Sequence, residues 1–285
     1  MKVPFKIDLT GKTAAVTGGG GVLCSYFAHA LAECGANVAV MDLKKEFAQK
    51  VADEIVANGH KAIAVAANVL QKDSLLEAKK EIEETFGTVD ILINGAGGNH
   101  PKGQTTKEYL FKEDLEGEVK DMITFFELDP DGIQFVFNLN FLGTLLPTQV
   151  FAKDMIGKDA PVVINISSMN AFRPLTKIPA YSAAKSAVSN FTQWLAVHFS
   201  KVGIRVNAIA PGFFATNQNR ALLFDAEGKP TARTEKILAH TPMGRFGEPE
   251  DLIGTLLWLC DKEASGFVNG VVIPVDGGFS AYSGV

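Results

Sequence analysis

Residues 12–34 of this 285-residue chain, KTAAVTGGGGVLCSYFAHALAEC, are the clearest indication of its fold class. Residues 12–17 form a short apolar run, and residues 22–34 have the apolar spacing of a helix. Four consecutive glycines, Gly18 to Gly21, connect the two. Glycines at such a turn let the backbone approach a pyrophosphate, and the helix N-terminus supplies amide donors. A flexible turn is the simpler interpretation, but the position after the first strand favours a nucleotide site.

The same alternation of short apolar runs and helical segments continues along the rest of the chain. Apolar strands that are each followed by a crossover helix predict a parallel sheet covered on both faces. No linker rich in Pro or Ser and no repeat divides the sequence, so we expect a single α/β domain over residues 1–285. The predicted strands are residues 12–17, 37–42, 62–67, 90–95, 161–167, 205–210 and 271–276, and the predicted helices are residues 22–34, 44–58, 71–86, 129–155, 179–201 and 248–260.

One segment, residues 98–128, interrupts this pattern with polar and charged sequence. A connection of this length in a compact fold is usually functional or mobile. We therefore expect an extended loop or helical insertion near the active site. The charged run 107–121 within it is interpreted as a solvated helix face or a partial lid.

The composition limits the classes of partner. The chain has 27 Lys and Arg against 32 Asp and Glu, a net charge of -5, which gives no electrostatic reason to expect nucleic acid or a membrane surface. The N-terminus has no apolar signal region, and no apolar run approaches the roughly 18 residues that span a bilayer. We expect a cytoplasmic protein without a metal site. Its three cysteines, Cys24, Cys34 and Cys260, have neither paired nor metal-ligand spacing, so we expect them to be reduced.

Asp42 is the residue that indicates which dinucleotide is bound. It ends the second predicted strand, 24 residues after Gly18. A carboxylate there accepts the ribose hydroxyls of NAD and repels the 2′-phosphate of NADP, although Lys44 and Lys45 could soften the preference. Its alternative role is to cap the next helix. NAD is the expected cofactor, and the other candidate binding residues all follow strands: Gly18, Gly20, Gly21, Val22 and Leu23, then Asn68 and Val69, then Asn94, Gly95 and Ala96, then Pro211, Gly212 and Thr216.

Tyr181 and Lys185 are the candidate catalytic pair. They are spaced i, i+4 at the start of a predicted helix, so both side chains lie on one face. A phenol with a pKa of ~10 is a poor base, and a neighbouring ammonium lowers that pKa. Ser168, at the end of a predicted strand, could hydrogen-bond a substrate carbonyl, and Asn140 could anchor a water chain from the lysine. Taken alone the Tyr/Lys pair indicates packing, but the four residues together indicate catalysis.

The motifs TGGGG, NGAG, N-x-x-G, ISS, Y-x-x-x-K and PGxxxT have the order and spacing of the short-chain dehydrogenase/reductase family, which residues 9–278 resemble. The resemblance implies a Rossmann-type doubly wound sheet of seven strands and hydride transfer between NAD(H) and a carbonyl carbon. It implies Tyr181 as general acid/base and Lys185 as the residue that tunes its pKa and binds ribose. It also implies Ser168 as the residue that orients the substrate oxygen and Asn140 as the anchor of a proton relay.

The same resemblance implies a homotetramer with the helices at 129–155 and 179–201 in an interface. The glycine turn departs from the family pattern T-G-x-x-x-G-x-G, because Val22 and Cys24 stand where two of its glycines are expected. Cysteine is small and buries well, whereas Val22 places a branched side chain near the diphosphate. We expect cofactor binding to survive with a changed path of the loop.

Four stretches, TGGGGVLC, NGAGGNHP, SSMNAFRP and HTPMGRFGEPEDL, resemble the short-chain-type fructuronate reductases, also called D-mannonate oxidoreductases. These enzymes interconvert D-fructuronate and D-mannonate with NAD(H). A sugar acid needs a cation for its carboxylate and hydrogen-bonding groups for its hydroxyls. Arg173 is the candidate for the carboxylate, with a surface charge as the alternative. The other candidates are Ser168, Asn99, His100, Asn170 and Asn217, of which His100 could be a loop-packing residue and the asparagines turn residues.

Two other functions stay open at this point. The first is a dehydrogenase of another sugar, polyol or sugar acid in the same family. The second, more remote, is a NAD-binding regulator without catalysis. The complete set of Ser168, Tyr181 and Lys185 argues against the regulator, since a non-catalytic protein has no evident need for all three.

Overall fold

The fold is built on a parallel sheet in the computed structural model, which describes residues 7–116, 121–215, 223–225 and 227–284. Within these residues the sheet has seven strands in the order β3-β2-β1-β4-β5-β6-β7, and each neighbouring pair is parallel. The prediction of seven strands is confirmed, with each end within one residue of its predicted position. The strands are β1 Thr13–Thr17, β2 Asn37–Asp42, β3 Ala62–Ala66, β4 Ile91–Asn94, β5 Val162–Ile166, β6 Arg205–Pro211 and β7 Val272–Val275.

Helices connect the strands on both faces. The helix predicted at 129–155 is continuous, but it contains a π-helical turn, Asn138–Leu142, between two α-helical parts. The short helices α7 and α9 were not predicted. The α-helices are α1 Val22–Glu33, α2 Lys45–Ala57, α3 Lys72–Phe86, α4 Pro130–Phe137, α5 Gly143–Met155, α6 Pro179–His198, α7 Ala232–Ala239, α8 Ile253–Cys260 and α9 Lys262–Ser265.

The core lies in two layers, one on each face of the sheet. Val16 of β1 packs on the layer formed with α1, α2 and α8, where Phe27 and Leu31 are fully buried. The preceding residue, Ala15, faces the layer formed with α3, α5 and α6, which includes Leu75 and Met155. Burial of each large apolar side chain contributes roughly 1.5–3 kcal/mol. Strands apolar on both sides can be buried only between two helical layers, so the doubly wound fold class is confirmed.

Residues 130–155 form a helical stretch that is long and apolar enough to cross a membrane by length and composition alone. Half of its most apolar window is buried inside the protein, where α5 packs on α3 and β4. The core helix of a soluble protein can have the same length and composition. The stretch is therefore only weak support for a membrane segment.

The sheet has its switch point between β1 and β4, where the chain leaves the two strands for opposite faces. In open parallel sheets this divergence opens a crevice beyond the carboxyl ends of the strands. The inserted segment, 98–128, begins at that crevice. Its described part contains three short 3₁₀ turns, Pro101–Gly103, Lys112–Leu115 and Phe125–Glu127.

Candidate active site

A cleft of about 560 Å³ lies at the carboxyl ends of the central strands. It is lined by residues from the glycine turn and the start of α1, from the carboxyl ends of β2, β5 and β6, from the turns that follow β4, β5 and β6, and from α6. Residues far apart in the sequence are thus brought to one place. Of the predicted site residues, the lining includes Gly18, Gly21, Val22, Leu23, Asp42, Gly95, Ala96, Ser168, Tyr181, Lys185, Pro211 and Gly212.

The glycine turn is shaped by contacts that a side chain would block. Gly18 has a φ of +64°, and a Cβ there would lie 3.0 Å from the backbone of Ala96. Gly20 packs against α2, where its Cβ would lie 2.5 Å from that of Phe47. Gly21 precedes the first residue of α1 and donates its amide to the Gly18 carbonyl. The backbone therefore forms an open cradle at a helix N-terminus, which is suited to phosphate.

Cys24 fills the space that a glycine would leave empty. A Cβ on Gly95 would lie 2.2 Å from the Cys24 sulfur, so the thiol packs directly on the turn after β4. Burial raises the pKa of Cys24 to about 12, and the thiol is therefore neutral near pH 7. Cys24 serves here as a packing residue between α1 and the turn.

Asp42 faces the cleft and also contacts the residue before α2. Its side chain lines the cleft. One carboxylate oxygen accepts the Gly20 amide at 3.2 Å, and the other accepts the Lys44 amide at 3.2 Å before α2. The carboxylate thus holds the glycine turn while facing the cleft. A glycine cradle, a helix N-terminus and a carboxylate at the end of β2 together fit a dinucleotide.

Ser168 and Tyr181 lie close together at the end of β5. The Ser168 hydroxyl is hydrogen-bonded to the Tyr181 side chain. Burial raises the pKa of Tyr181, and this hydrogen bond opposes the rise. Ser168 itself is buried and also accepts the amide of Asn170 at 3.2 Å.

Lys185 is buried beneath this pair. Its Nζ donates to the carbonyl oxygen of Ile166 at 2.7 Å and lies 5.7 Å from the centre of the Tyr181 ring. Burial lowers the pKa of Lys185 to about 8. The lowering of the Tyr181 pKa that was expected from this ammonium is not found: burial raises that pKa, and Ser168 is the group that opposes the rise.

Asn140 lies in the π-helical turn and is fully buried. Its Nδ2 donates to the carbonyl oxygens of Gly98, at 2.7 Å, and Val136, at 2.8 Å, while its Oδ1 accepts the Gly98 amide at 3.2 Å. Its own carbonyl accepts the Thr144 hydroxyl at 2.9 Å. The side chain therefore joins the helix to the turn after β4 behind the cleft wall.

Several predicted cofactor residues stand outside the cleft lining. Asn94 is buried and donates to Thr148 and Asn165, which makes it a link between β4, β5 and α5. Asn68 accepts the amide of Leu70, as a turn residue does. The predicted site residues that do not line the cleft are Gly20, Asn68, Val69, Asn94, Asn99, His100, Asn140, Asn170 and Arg173. Thr216 and Asn217 lie outside the described residues.

The predicted substrate residues have mainly local contacts. His100 accepts the Lys102 amide at 3.2 Å and packs against the ring of Phe135. Asn99 accepts the His100 amide, and Arg173 is exposed. Asn170 is 4% exposed, and its Oδ1 has no hydrogen-bond partner among the described residues. The loop-packing interpretation of His100 and the surface-charge interpretation of Arg173 are therefore the better supported.

Aromatic lining residues were not predicted. Phe213 and Phe214 directly follow Gly212, so their position after β6 was a usable signal. Phe246 comes from a distant loop, and only the folded chain brings it to the cleft. Across the described part of the chain, three or more His, Cys, Asp or Glu side chains nowhere group as metal ligands would.

Comparison with known sequences agrees with the geometry. The family model described as short chain dehydrogenase matches residues 12–226. An uncharacterized oxidoreductase of Haemophilus influenzae is 62% identical over 285 residues, 100% of this chain and 99% of the relative. The 5-keto-D-gluconate 5-reductase of Escherichia coli K12 is 32% identical over 271 residues, 95% of this chain and 96% of the relative.

Solved structures give the same result. One, from Haemophilus influenzae and provisionally named a D-mannonate oxidoreductase, was solved with bound NAD. It has a TM-score of 0.93 and 63% identity, and the match covers 98% of each chain. A gluconate 5-dehydrogenase from Burkholderia cenocepacia, in complex with NADP and tartrate, has a TM-score of 0.81 and 29% identity over 97% of this chain and 98% of that one.

Proposed function

Because this chain belongs to the short chain dehydrogenase family, we propose that it is a NAD(H)-dependent oxidoreductase that interconverts D-mannonate and D-fructuronate. The observation that carries the proposal is the placement of Ser168, Tyr181 and Lys185 together in the cleft that Asp42 and the glycine turn also line. The dinucleotide, when bound, supplies or takes up the hydride.

Tyr181 is the proposed acid/base. In the reduction its hydroxyl donates a proton to the carbonyl oxygen, and in the oxidation its phenolate accepts the proton of the substrate hydroxyl. Ser168, already hydrogen-bonded to Tyr181, orients the substrate oxygen. Lys185 binds ribose and returns a proton to the tyrosine, and Asn140 anchors the relay behind it.

NAD is the proposed dinucleotide. Asp42 supports this assignment, because its carboxylate lines the cleft where the phosphate of NADP would be repelled. The NAD in the structure that is 63% identical is a second support. Lys44 and Lys45 and the NADP of the more distant gluconate 5-dehydrogenase are reasons to measure the preference directly.

The substrate class follows from the relatives. In D-fructuronate the carboxyl carbon lies four carbon–carbon bonds from the carbonyl carbon, about 5 Å in an extended chain. The same spacing occurs in 5-keto-D-gluconate, the substrate in the name of the relative that is 32% identical. A second candidate is therefore the oxidation and reduction of another six-carbon sugar acid at this position.

We also propose a cytoplasmic homotetramer. The helices at 130–155 and 179–198 carry exposed large side chains, including Phe135 at 43% and Trp194 at 55% exposure, which an interface would cover. Light scattering gives the mass of the assembly. Trp194→Ser is expected to weaken it, and an unchanged tetramer would place the interface elsewhere.

The test of the activity is oxidation of NADH followed at 340 nm with D-fructuronate. NADPH, 5-keto-D-gluconate and neutral ketoses are run in parallel. Turnover confined to D-fructuronate with NADH supports the proposal in full. Turnover only with 5-keto-D-gluconate selects the second candidate, and tight NADH binding without any turnover favours a non-catalytic protein.

A further inference from the structure

A second cavity, here called the cation cavity, adjoins the cleft and has a volume of about 600 Å³. It forms where three parts of the chain meet: residues 108–109 of the inserted segment, residues 174–177 before α6, and helix α7. Phe213 lines both cavities, so the two are neighbours. Sequence patterns did not indicate this cavity.

The lining of the cation cavity is basic, although the whole chain has a net charge of -5. The lining includes three cationic side chains, Lys177, Arg233 and Lys236, and a single carboxylate, that of Glu108. Glu108 Oε2 accepts from Lys236 Nζ at 2.5 Å. Lys236, and to a smaller extent Lys177 and Arg233, lower the pKa of Glu108, so the carboxylate lies within the field of all three cations. A carboxylate is therefore favoured at this position.

The cation cavity is held by contacts between its three parts. Lys177 adopts a left-handed backbone with φ of 69°, which is uncommon for residues other than glycine and is maintained only where the surroundings require it. Its carbonyl oxygen accepts the amide of Thr105 at 2.9 Å, which ties the inserted segment to the loop before α6. The pair of Glu108 and Lys236 ties the same segment to α7. These contacts place the inserted segment against the loop before α6 and against α7.

Resting on the proposed function, we infer that the cation cavity binds the carboxylate of the sugar acid, and that Glu108 is the internal carboxylate that the substrate displaces from Lys236. A substrate whose carboxylate and carbonyl are about 5 Å apart needs two neighbouring subsites. The cleft holds the carbonyl at Tyr181, and the cation cavity beyond Phe213 holds the carboxylate. Arg173, the residue predicted for this role, lines neither cavity.

The displacement predicts opposite effects for the two members of the ion pair. Lys236→Gln removes a charge-assisted hydrogen bond to the substrate and should raise the KM for D-fructuronate about 10- to 100-fold, with little change in kcat. Glu108→Gln removes the competing carboxylate and should lower that KM. If the pair only fastened the inserted segment to α7, both variants would change KM in the same direction.

The experiment measures kcat and KM for D-fructuronate and for a neutral ketose with NADH. Its variants are Lys236→Gln, Glu108→Gln, Arg233→Gln and Arg173→Gln, and Lys201→Gln is the control because that exposed lysine lies outside both cavities. The inference is supported if the KM for D-fructuronate shifts in opposite directions in the Glu108 and Lys236 variants while the KM for the neutral ketose does not shift.

Two other results overturn it, and they differ from each other. In the first, the wild-type enzyme prefers the acid over the neutral ketose, and the Lys236 and Arg233 variants keep the same preference. The substrate carboxylate would then be bound by another cation, such as Arg173. A wild-type enzyme without any preference for the acid would overturn the proposed function as well.

Discussion

Asn140 and Lys185 approach the same point beside Gly97. A Cβ on Gly97 would lie 2.7 Å from Asn140 Oδ1 and 3.1 Å from Lys185 Nζ. The missing side chain therefore leaves room for a buried amide and a buried ammonium at the wall of the cleft. This closeness supports a proton path from Lys185 past Asn140.

Gly97→Ala should disturb both residues. Asn140 is held by hydrogen bonds to Gly98 and Val136 and cannot easily move away. We expect a loss of about 1–3 kcal/mol in the free energy of unfolding and at least a tenfold lower kcat. Gly98→Ala, whose Cβ would lie 3.8 Å from Leu139, should have a clearly smaller effect. Equal effects of the two substitutions would contradict this account.

Tyr181→Phe should lower kcat about 10²- to 10⁴-fold, because the variant keeps the ring but loses the proton donor. Binding of NADH, measured by its fluorescence, should be nearly unchanged. Retained turnover would remove Tyr181 from the acid/base role. A loss of NADH binding would show that the hydroxyl is needed for the cofactor.

Ser168→Ala should shift the pH dependence of D-mannonate oxidation. The hydrogen bond from Ser168 opposes the rise in the Tyr181 pKa that burial causes, so its removal raises that pKa further. Oxidation needs the phenolate, and the acidic limb of kcat/KM should therefore move to higher pH. Ser167→Ala is the matched control, since its hydroxyl bonds that of Ser189 at 2.6 Å. An acidic limb that shifts equally in the Ser168 and Ser167 variants would contradict the proposed effect of Ser168 on the Tyr181 pKa.

Asp42→Asn should narrow the preference for NAD over NADP by about tenfold, or about 1.4 kcal/mol, because the neutral amide no longer repels a 2′-phosphate. The ratio of kcat/KM for NADH and NADPH measures this. Asp53→Asn, an exposed carboxylate on α2 that accepts from Gln49, is the control. An unchanged ratio would mean that another group reads the ribose.

Lys185→Met should change how stability depends on pH. Burial lowers the pKa of Lys185 from 10.5 to about 8, so the unfolded chain binds this proton more tightly than the folded one. The buried charge therefore lowers the free energy of unfolding of the wild-type protein by its full amount below about pH 8, and this destabilisation disappears as pH rises to 10.5. The stability of the variant relative to wild type should decrease by about 3 kcal/mol over this interval.

Urea unfolding of both proteins at pH 7, 8.5 and 10 measures that difference. The absolute stability of the variant also reflects the unpaired Ile166 carbonyl, but this contribution is independent of pH. A difference that stays constant across the three pH values would mean that Lys185 titrates alike in both states.

The seven strands could be predicted because their signal is local. A run such as Val162–Ile166 is apolar at every position, and apolar strands separated by helical segments have few arrangements other than a doubly wound sheet. The proposed catalytic residues could also be predicted to lie together, since Tyr181 and Lys185 share a helix face and Ser168 ends a strand. Parallel strands bring their carboxyl ends to one edge of the sheet, which places such residues together.

The strand pattern, the glycine turn and part of the cleft lining, including Ser168, Tyr181 and Lys185, could thus be derived from the sequence alone. Three features follow only from the folded chain: Lys185 is held at Ile166, Asn68 and Arg173 stay outside the cleft, and Lys236 meets Glu108. These outcomes depend on packing between segments distant in sequence, and Lys236 and Glu108 are 128 residues apart. Local periodicity reports which face of an element is buried, but contacts between loops follow only when the whole core has formed.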